Sequence, residues 1–264
     1  MIRVRDCQIA TTVRGETTPA VILCHSTGMG SMQWARIARG LAPRRCVMPD
    51  WLGYGESDGV LEGSKDWTLD LDALLALVDA QDGSVDLVGH SYGGFLALQA
   101  SLVRPDKVRR VAVHEPVLWE TLRTGGEQLH RDSFDAICTG LAKVARGGEA
   151  WLEAFVDFWN GAGAWKALPP SRADVWRHNG AVISAEVHGL IDDRTPCTAW
   201  SALPMPVLVT VGAGTTAIES HVCDILHRSL PMGVLTKVPG GHMAPVSKGR
   251  SWMDVVLPFL DAEL

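Results

Sequence analysis

The sequence predicts an α/β protein in which a mostly parallel, doubly wound sheet is covered by helices on both faces. Strand-like and helix-like segments alternate along the chain, and the strand-like segments are apolar throughout rather than alternately apolar and polar. In addition, the apolar run 85–88, rich in valine, passes through a short glycine-containing turn into the buried helix expected over 95–102. These observations favour strands buried on both sides.

The elements follow one another in a regular order. Residues 1–14 are expected to form an opening strand or a pair of strands. The strands and helices predicted after them are a strand at 19–24, a helix at 32–41, a strand at 45–50, a helix at 67–80, the strand and helix at 85–88 and 95–102, a strand at 108–115, a strand at 205–212, a helix at 219–230, a strand at 233–239 and a helix at 252–264.

The alternation stops between residues 119 and 200, where helical periodicity over 132–146 and 149–159 predominates. We interpret 119–200 as a helical cap inserted between the two parts of one core, 1–118 and 201–264. Six of the ten tryptophans lie in this segment, and they either line an apolar pocket or form the cap's own small core. Four of them are expected to contact the substrate: Trp119, Trp151, Trp159 and Trp176.

The turn at 89–93 has the pattern Gly89-x-Ser91-x-Gly93. A strand that turns into a helix within so few residues forces its central residue into a strained backbone conformation, so its neighbours must be small. The helix that follows supplies free N–H groups and a partial positive charge beside the serine. The pattern therefore predicts a nucleophilic Ser91, and the alternative is a tight turn whose serine only caps the helix.

Composition excludes several classes of function. With 264 residues, a net charge of −6 and no basic cluster, the chain is not expected to bind nucleic acid. It lacks a leader-like N-terminus and any run of eighteen apolar residues, so we expect a cytoplasmic protein that makes no membrane contact. Six scattered cysteines without a CxxC pair are typical of reduced thiols, and no metal is expected. The sequence leaves the oligomeric state open.

Four segments, in family order, resemble those of α/β-hydrolase-fold proteins. They are His25-Ser26-Thr27-Gly28, the stretch 49–57, the turn at 89–94 and Gly241-His242. The resemblance implies a Ser-acid-His triad that needs no cofactor, with Ser91 as the nucleophile and His242 as the base. It also implies that the N–H groups of Thr27 and Tyr92 form the oxyanion hole. The family usually has His-Gly where this chain has His25-Ser26, which precedes the N–H donor, so we expect the hole to be kept.

The third member of the triad departs from the family pattern. Most members carry an aspartate shortly after the strand that ends here at Gly212, whereas this chain has no carboxylate before Glu219. Some members place the acid at the end of an earlier strand, and that position is Glu115 here. We expect Glu115 to orient His242. The alternatives are Glu219, another acid of the chain, or a Ser-His dyad without an acid.

The position of Glu115, the stretch after Gly212 and the tryptophan-bearing cap are similar to those of zearalenone lactonases. This likeness implies a serine hydrolase that cleaves an ester or lactone of a hydrophobic or aromatic small molecule. The same fold also carries cofactor-free dioxygenases, carbon–carbon bond hydrolases and ligand-binding receptors with residual hydrolysis, and these functions remain alternatives. Dehalogenases and epoxide hydrolases use aspartate at the position of Ser91, so they are excluded.

Overall fold

The computed structural model describes residues 1–59, 65–142 and 144–262. Within these residues, seven strands form one sheet and two short strands form a separate antiparallel pair. In chain order the strands are β1 (Ile2–Val4), β2 (Cys7–Ile9), β3 (Thr11–Arg14), β4 (Thr17–Cys24), β5 (Arg44–Pro49), β6 (Val85–His90), β7 (Val108–His114), β8 (Val207–Gly212) and β9 (Gly233–Val238).

The main sheet has the strand order β3-β5-β4-β6-β7-β8-β9. Only β3 runs antiparallel to its neighbour, and every other pair of adjacent strands in this sheet is parallel. The carboxyl ends of parallel strands meet at one edge of a sheet, and there the loops after β4, β6, β7 and β8 lie side by side. The mostly parallel sheet predicted from the sequence is confirmed.

Helices cover both faces of this sheet. In chain order they are α1 (Ala35–Gly40), α2 (Trp67–Asp79), α3 (Tyr92–Val103), α4 (Trp119–Gly125), α5 (Gln128–Ala142), α6 (Glu149–Asn160), α7 (Pro170–His178), α8 (Gly180–Asp192), α9 (Ala217–Ser229), α10 (Ala244–Ser247) and α11 (Gly249–Asp261). On β4, Val21 and Leu23 pack in the cluster of α1 and α11, whereas Ile22 packs in the cluster of α2, α3 and α9. Burial on both sides explains why the strands are apolar throughout.

Five helices, α4 to α8, lie between β7 and β8, in the segment where the sequence lost its alternation. The helix expected over 132–146 is α5, which begins at Gln128; residue 143 lies outside the described residues. The sequence did not predict α7, because Pro169-Pro170 indicates a break. Pro170 is instead the first residue of α7, where a missing N–H costs no intrahelical hydrogen bond.

Smaller differences occur elsewhere. The helix expected over 32–41 begins with a 3-10 turn, Ser31–Trp34, before α1, and the last helix begins at Gly249 rather than at residue 252. Residues 263–264 of that predicted helix lie outside the described residues. The six cysteines are unbridged, and no helix among the described residues has the length and apolarity needed to cross a membrane.

Candidate active site

Ser91 lies between β6 and α3 in the strained conformation that the turn demands. Its φ of 55° and ψ of −118° place a non-glycine residue at positive φ, which costs energy and is common at functional sites. A Cβ at Gly89 would collide with the carbonyl oxygen of Gly93, and a Cβ at Gly93 would collide with that of Cys24. Two glycines are therefore needed to hold Ser91 at the edge of the sheet.

Glu115 follows β7 directly and contacts His242, a residue of the loop after β9. One carboxylate oxygen, Oε2, lies 2.8 Å from His242 Nδ1 and accepts a second hydrogen bond from the Thr215 hydroxyl at 2.7 Å. The other oxygen, Oε1, accepts the N–H of Gly212 at 2.7 Å. Glu115 is fully buried and has a φ of 43°, so this carboxylate is held by the ends of two neighbouring strands.

The electrostatic surroundings keep Glu115 ionised. Burial by itself works to raise the pKa of this carboxyl, because a charged group loses hydration. The hydrogen bond and the charge of His242, with smaller contributions from His114 and the Thr215 hydroxyl, outweigh burial and lower the pKa below its usual value. At neutral pH the group facing Nδ1 is therefore a carboxylate, which accepts a hydrogen bond from the Nδ1–H group of His242.

Ser91 and His242 line the same narrow space, of about 40 Å³, together with Thr27. Thr27 lies in the loop after β4 and Tyr92 is the first residue of α3. In the part of the chain that the structure describes, the N–H groups of both residues lack a hydrogen-bond acceptor. Two unpaired donors in the loops that flank a buried serine can hold an oxyanion.

Three buried histidines outside the Glu115–His242 pair support the loops of the site. His90 Nε2 donates to the carbonyl oxygen of His242 at 2.7 Å, and His114 Nε2 lies 3.3 Å from the carbonyl oxygen of Gly241. His25 Nε2 accepts the N–H of Trp51 at 3.0 Å. Burial lowers the pKa of all three, to about 4 for His25 and His114, so they are neutral at pH 7.

His25 and His90 flank the site along the sequence, so either could touch substrate or hold a loop. Each has both ring nitrogens in hydrogen bonds to the protein: His25 to Ser26 and Trp51, and His90 to Gln33 and His242. The structure therefore places them as supports. The role of His114 was not predicted, since nothing in the sequence near this residue indicates that its side chain contacts the carbonyl group of Gly241.

The four tryptophans singled out from the sequence have different surroundings. The ring of Trp159 stacks on His242 with centroids 4.0 Å apart, and Trp176 lines the space beside Ser91. Trp119 lines a separate apolar cavity of about 220 Å³ that adjoins α5 and α6. Trp151 is fully buried and stacks on Phe155, so it belongs to the packing of the helices and its position does not support substrate contact.

Glu219, the alternative acid, lies in the first turn of α9. Its side chain is fully buried, and among the described residues neither carboxylate oxygen has a hydrogen-bond partner. Burial, reinforced by the nearby charge of Glu115, raises its pKa well above the usual value. The structure brings Glu115, not Glu219, into contact with His242.

Comparison with known proteins gives results that agree with this geometry. Residues 19–248 match the model of the alpha/beta hydrolase fold family. The lipase LipV of Mycobacterium tuberculosis is 29% identical over 252 residues, which cover 89% of this chain and 90% of that protein.

Two solved structures are similar over almost their whole length. The enol-lactonase of Burkholderia xenovorans LB400 aligns with a TM-score of 0.77 and 18% identity, covering 98% of both chains. A thermophilic esterase of Thermogutta terrifontis aligns with a TM-score of 0.72 and 18% identity, covering 96% of this chain and 93% of the esterase. At this identity the two structures establish the fold.

Proposed function

The chain belongs to the α/β-hydrolase family, and on that premise we propose that it hydrolyses carboxylic esters or lactones through Ser91, His242 and Glu115. The observation that carries the proposal is the 2.8 Å hydrogen bond from His242 Nδ1 to Glu115, beside a serine held at positive φ. A nucleophile, a base and a group that orients the base then lie in three neighbouring loops. The ester hydrolysis named for LipV and the Thermogutta esterase is consistent with this chemistry.

The hydrogen bonds of His242 indicate which of its ring nitrogens takes the proton of Ser91. Because Nδ1 donates to the Glu115 carboxylate, Nε2 is the ring nitrogen that remains to accept the Ser91 proton. The serine oxygen attacks the carbonyl carbon, and the imidazolium then returns the proton to the leaving alcohol oxygen as the carbon–oxygen bond breaks. Water, deprotonated at the same Nε2, attacks the acyl-enzyme, and as the bond from the carbonyl carbon to the Ser91 oxygen breaks, the imidazolium returns the proton to that oxygen. The negative charge that develops at each attack is held by the N–H groups of Thr27 and Tyr92.

The surroundings of Ser91 favour a hydrophobic substrate. The narrow space shares five residues with an adjoining groove of about 390 Å³ whose further lining is mostly apolar, and only one of the five is polar. They are Met29, Val156, Asn160, Trp176 and Met243. A bulky acyl or aryl group leaves water when it enters such a groove, and this stabilises the complex. In this proposal the helical segment 119–200 acts as a cap that forms the groove. An aromatic lactone is uncharged and hydrophobic, and it therefore suits this lining.

The proposal is tested by active-site labelling together with turnover. The purified protein is treated with a fluorophosphonate probe, and the labelled peptide is identified by mass spectrometry. Hydrolysis of p-nitrophenyl esters and of aromatic lactones is measured for the wild type and for Ser91→Ala and His242→Ala. We expect labelling at Ser91, and we expect each variant to lose at least about a thousandfold in kcat while the melting temperature stays close to that of the wild type.

Other outcomes would favour the other functions that the fold can carry. Oxygen consumption with a hydroxylated aromatic heterocycle, without labelling at Ser91, would indicate a cofactor-free dioxygenase. Turnover of a vinylogous diketone but of no ester would indicate a carbon–carbon bond hydrolase. Binding of an aromatic ligand with equal turnover by the wild type and Ser91→Ala would indicate a receptor.

A further inference from the structure

Three charged side chains form a buried cluster beneath the site. Lys65 Nζ lies 3.0 Å from Asp70 Oδ2 of α2 and 2.7 Å from Glu186 Oε1 of α8, and each side chain is at most 1% exposed. A buried ion cluster of this kind is often no more stable than apolar residues of the same volume. Stability alone therefore does not account for Lys65, Asp70 and Glu186, which we call the Lys65 cluster.

One arm of the Lys65 cluster reaches the residue after the nucleophile. The hydroxyl of Tyr92 donates to Asp70 Oδ2 at 2.7 Å, while Asp70 Oδ1 accepts the N–H of Leu52 at 3.0 Å. Tyr92 begins α3, and its backbone N–H is one of the two proposed oxyanion donors. Asp70 therefore fixes the side chain of Tyr92, and the backbone N–H of Tyr92 must keep its position to bind the oxyanion.

The other arm reaches the loop after β4. The hydroxyl of Tyr54 donates to Glu186 Oε2 at 2.9 Å and accepts the N–H of Gly28 at 3.1 Å. Gly28 is the neighbour of Thr27, whose N–H is the second proposed oxyanion donor. Both donors are thus tied, through two different tyrosines, to carboxylates that share Lys65.

Lys65 supplies the positive charge that Asp70 and Glu186 share. Burial works to lower the pKa of Lys65, but Asp70 and Glu186 outweigh it and raise the pKa, so the ammonium stays charged. Burial raises the pKa of Glu186, and the charge of Lys65 opposes that effect. Without Lys65, two carboxylates would face each other in a buried site and would repel.

We propose that Lys65 is a positioning residue for the oxyanion hole, because it holds Asp70 and Glu186 together and thereby fixes the Thr27 loop relative to Tyr92. Since Glu186 lies on α8, between β7 and β8, the two N–H groups reach their working positions only when α8 is seated on the core. The inference rests on the proposed function, which takes these N–H groups as the oxyanion donors.

The test separates positioning from general stability. Lys65→Met removes the shared cation, and Glu186→Gln removes the charge but keeps an oxygen that accepts from Tyr54. Asp192→Asn, which neutralises an exposed carboxylate at the end of the same helix, is the matched control. Three quantities are measured for each: kcat and KM with p-nitrophenyl butyrate, and the dissociation constant of phenylboronic acid, which forms a tetrahedral adduct with a catalytic serine.

We expect Lys65→Met and Glu186→Gln to lower kcat by about 10- to 100-fold and to leave KM within about twofold, since loss of one oxyanion donor outright costs about 100- to 1,000-fold. Phenylboronic acid should bind more weakly by a similar factor, because its adduct carries the negative charge that the hole stabilises. Asp192→Asn should behave as the wild type. Folded variants that keep wild-type kcat and boronic acid affinity would overturn the inference.

A second variant covers the case in which Lys65→Met and Glu186→Gln fail to fold. Tyr54→Phe deletes only the hydroxyl that links Gly28 to Glu186, and it is expected to lower kcat and boronic acid affinity in the same direction. An unchanged kcat in Tyr54→Phe would overturn the inference. Failure of the proposed function is seen separately, because the wild type itself would then neither hydrolyse the ester nor be labelled at Ser91, and both proposals would fall together.

Discussion

The indole ring of Trp159 stacks on the imidazole ring of His242, with centroids 4.0 Å apart and planes inclined by 21°. His90 lies 5.0 Å from the same imidazole, and Glu115 binds its Nδ1. The orientation of His242 is therefore fixed by packing as well as by a hydrogen bond. Trp159 and Phe155 also line both the narrow space at Ser91 and the apolar cavity of about 220 Å³ near Trp119.

Shortening Trp159 should change which substrates the protein accepts. Trp159→Ala removes one of the two side chains that line both the space at Ser91 and the cavity near Trp119, so a long acyl chain gains apolar surface to bury. We expect the ratio of kcat/KM for p-nitrophenyl decanoate to that for p-nitrophenyl acetate to rise at least about tenfold.

Trp151→Phe is the matched control for this change, because Trp151 is a buried tryptophan of the same helix that packs away from His242. Its ratio of decanoate to acetate hydrolysis should stay near that of the wild type. An unchanged ratio in Trp159→Ala would show that Trp159 does not limit the size of the acyl group.

The two glutamates that sequence analysis left as alternatives should respond differently to the same substitution. Glu115→Gln keeps the shape of the side chain but removes the negative charge that accepts the hydrogen bond from His242 Nδ1–H, and we expect kcat to fall by at least about a hundredfold. Glu219→Gln should leave kcat within about twofold, because Glu219 does not contact the imidazole. Loss of activity in Glu219→Gln with normal activity in Glu115→Gln would reverse the assignment of the acid.

Stability measurements at two pH values should show that Glu219 holds its proton more tightly in the folded protein than in the unfolded chain. Burial raises its folded-state pKa well above that of the unfolded chain, so unfolding releases a proton above about pH 4.5. The wild type therefore loses stability as pH rises through this window, and Glu219→Gln does not. Urea unfolding at pH 5 and pH 8 should show that the variant gains stability relative to the wild type at the higher pH; a constant difference would contradict the prediction.

His114 should contribute to acid sensitivity with the opposite sign. Its pKa is about 4 in the folded protein and about 6.5 in an unfolded chain, so the unfolded chain binds the proton more readily between these values. Its contribution to stability is present above about pH 6.5 and is lost as pH falls towards 4.

The matching experiment compares the wild type with His114→Gln, whose amide can still donate to the Gly241 carbonyl. The free energy of unfolding should differ most between the two at pH 7, and the difference should shrink by about 2 kcal/mol at pH 5. A difference that grows as the pH falls would mean that His114 is charged in the folded protein.

Local sequence patterns were sufficient for the fold because the strands carry them within a few residues. The valine-rich run before Ser91 and the glycines on either side specify a strand, a turn and a helix without reference to the rest of the chain. The same reasoning placed Glu115 at the end of the strand predicted over 108–115. The prediction was wrong at α7, because Pro169-Pro170 indicated a break in helical structure but stands at the beginning of a helix.

The supports of the site were harder to predict because they depend on contacts between distant residues. His90 binds the carbonyl of a residue 152 positions away, and nothing near either residue in the sequence marks the pair. Lys65, Asp70 and Glu186 indicate solvated surface when each is considered alone, since charged side chains are seldom buried. Only the folded structure shows that Lys65 contacts and neutralises the carboxylates of Asp70 and Glu186.

The register of β6 and β7 pairs His90 with His114, so the residues that follow them, Ser91 and Glu115, extend from adjacent, hydrogen-bonded strand ends. Both precede the helical segment, and their spacing is therefore independent of it. Under the proposed function, replacement of the segment between β7 and β8 would change the substrate groove and leave this relation of Ser91 to Glu115 in place. If Lys65 positions the oxyanion hole as proposed, a replacement segment must still supply a carboxylate that contacts Lys65, as Glu186 of α8 does here.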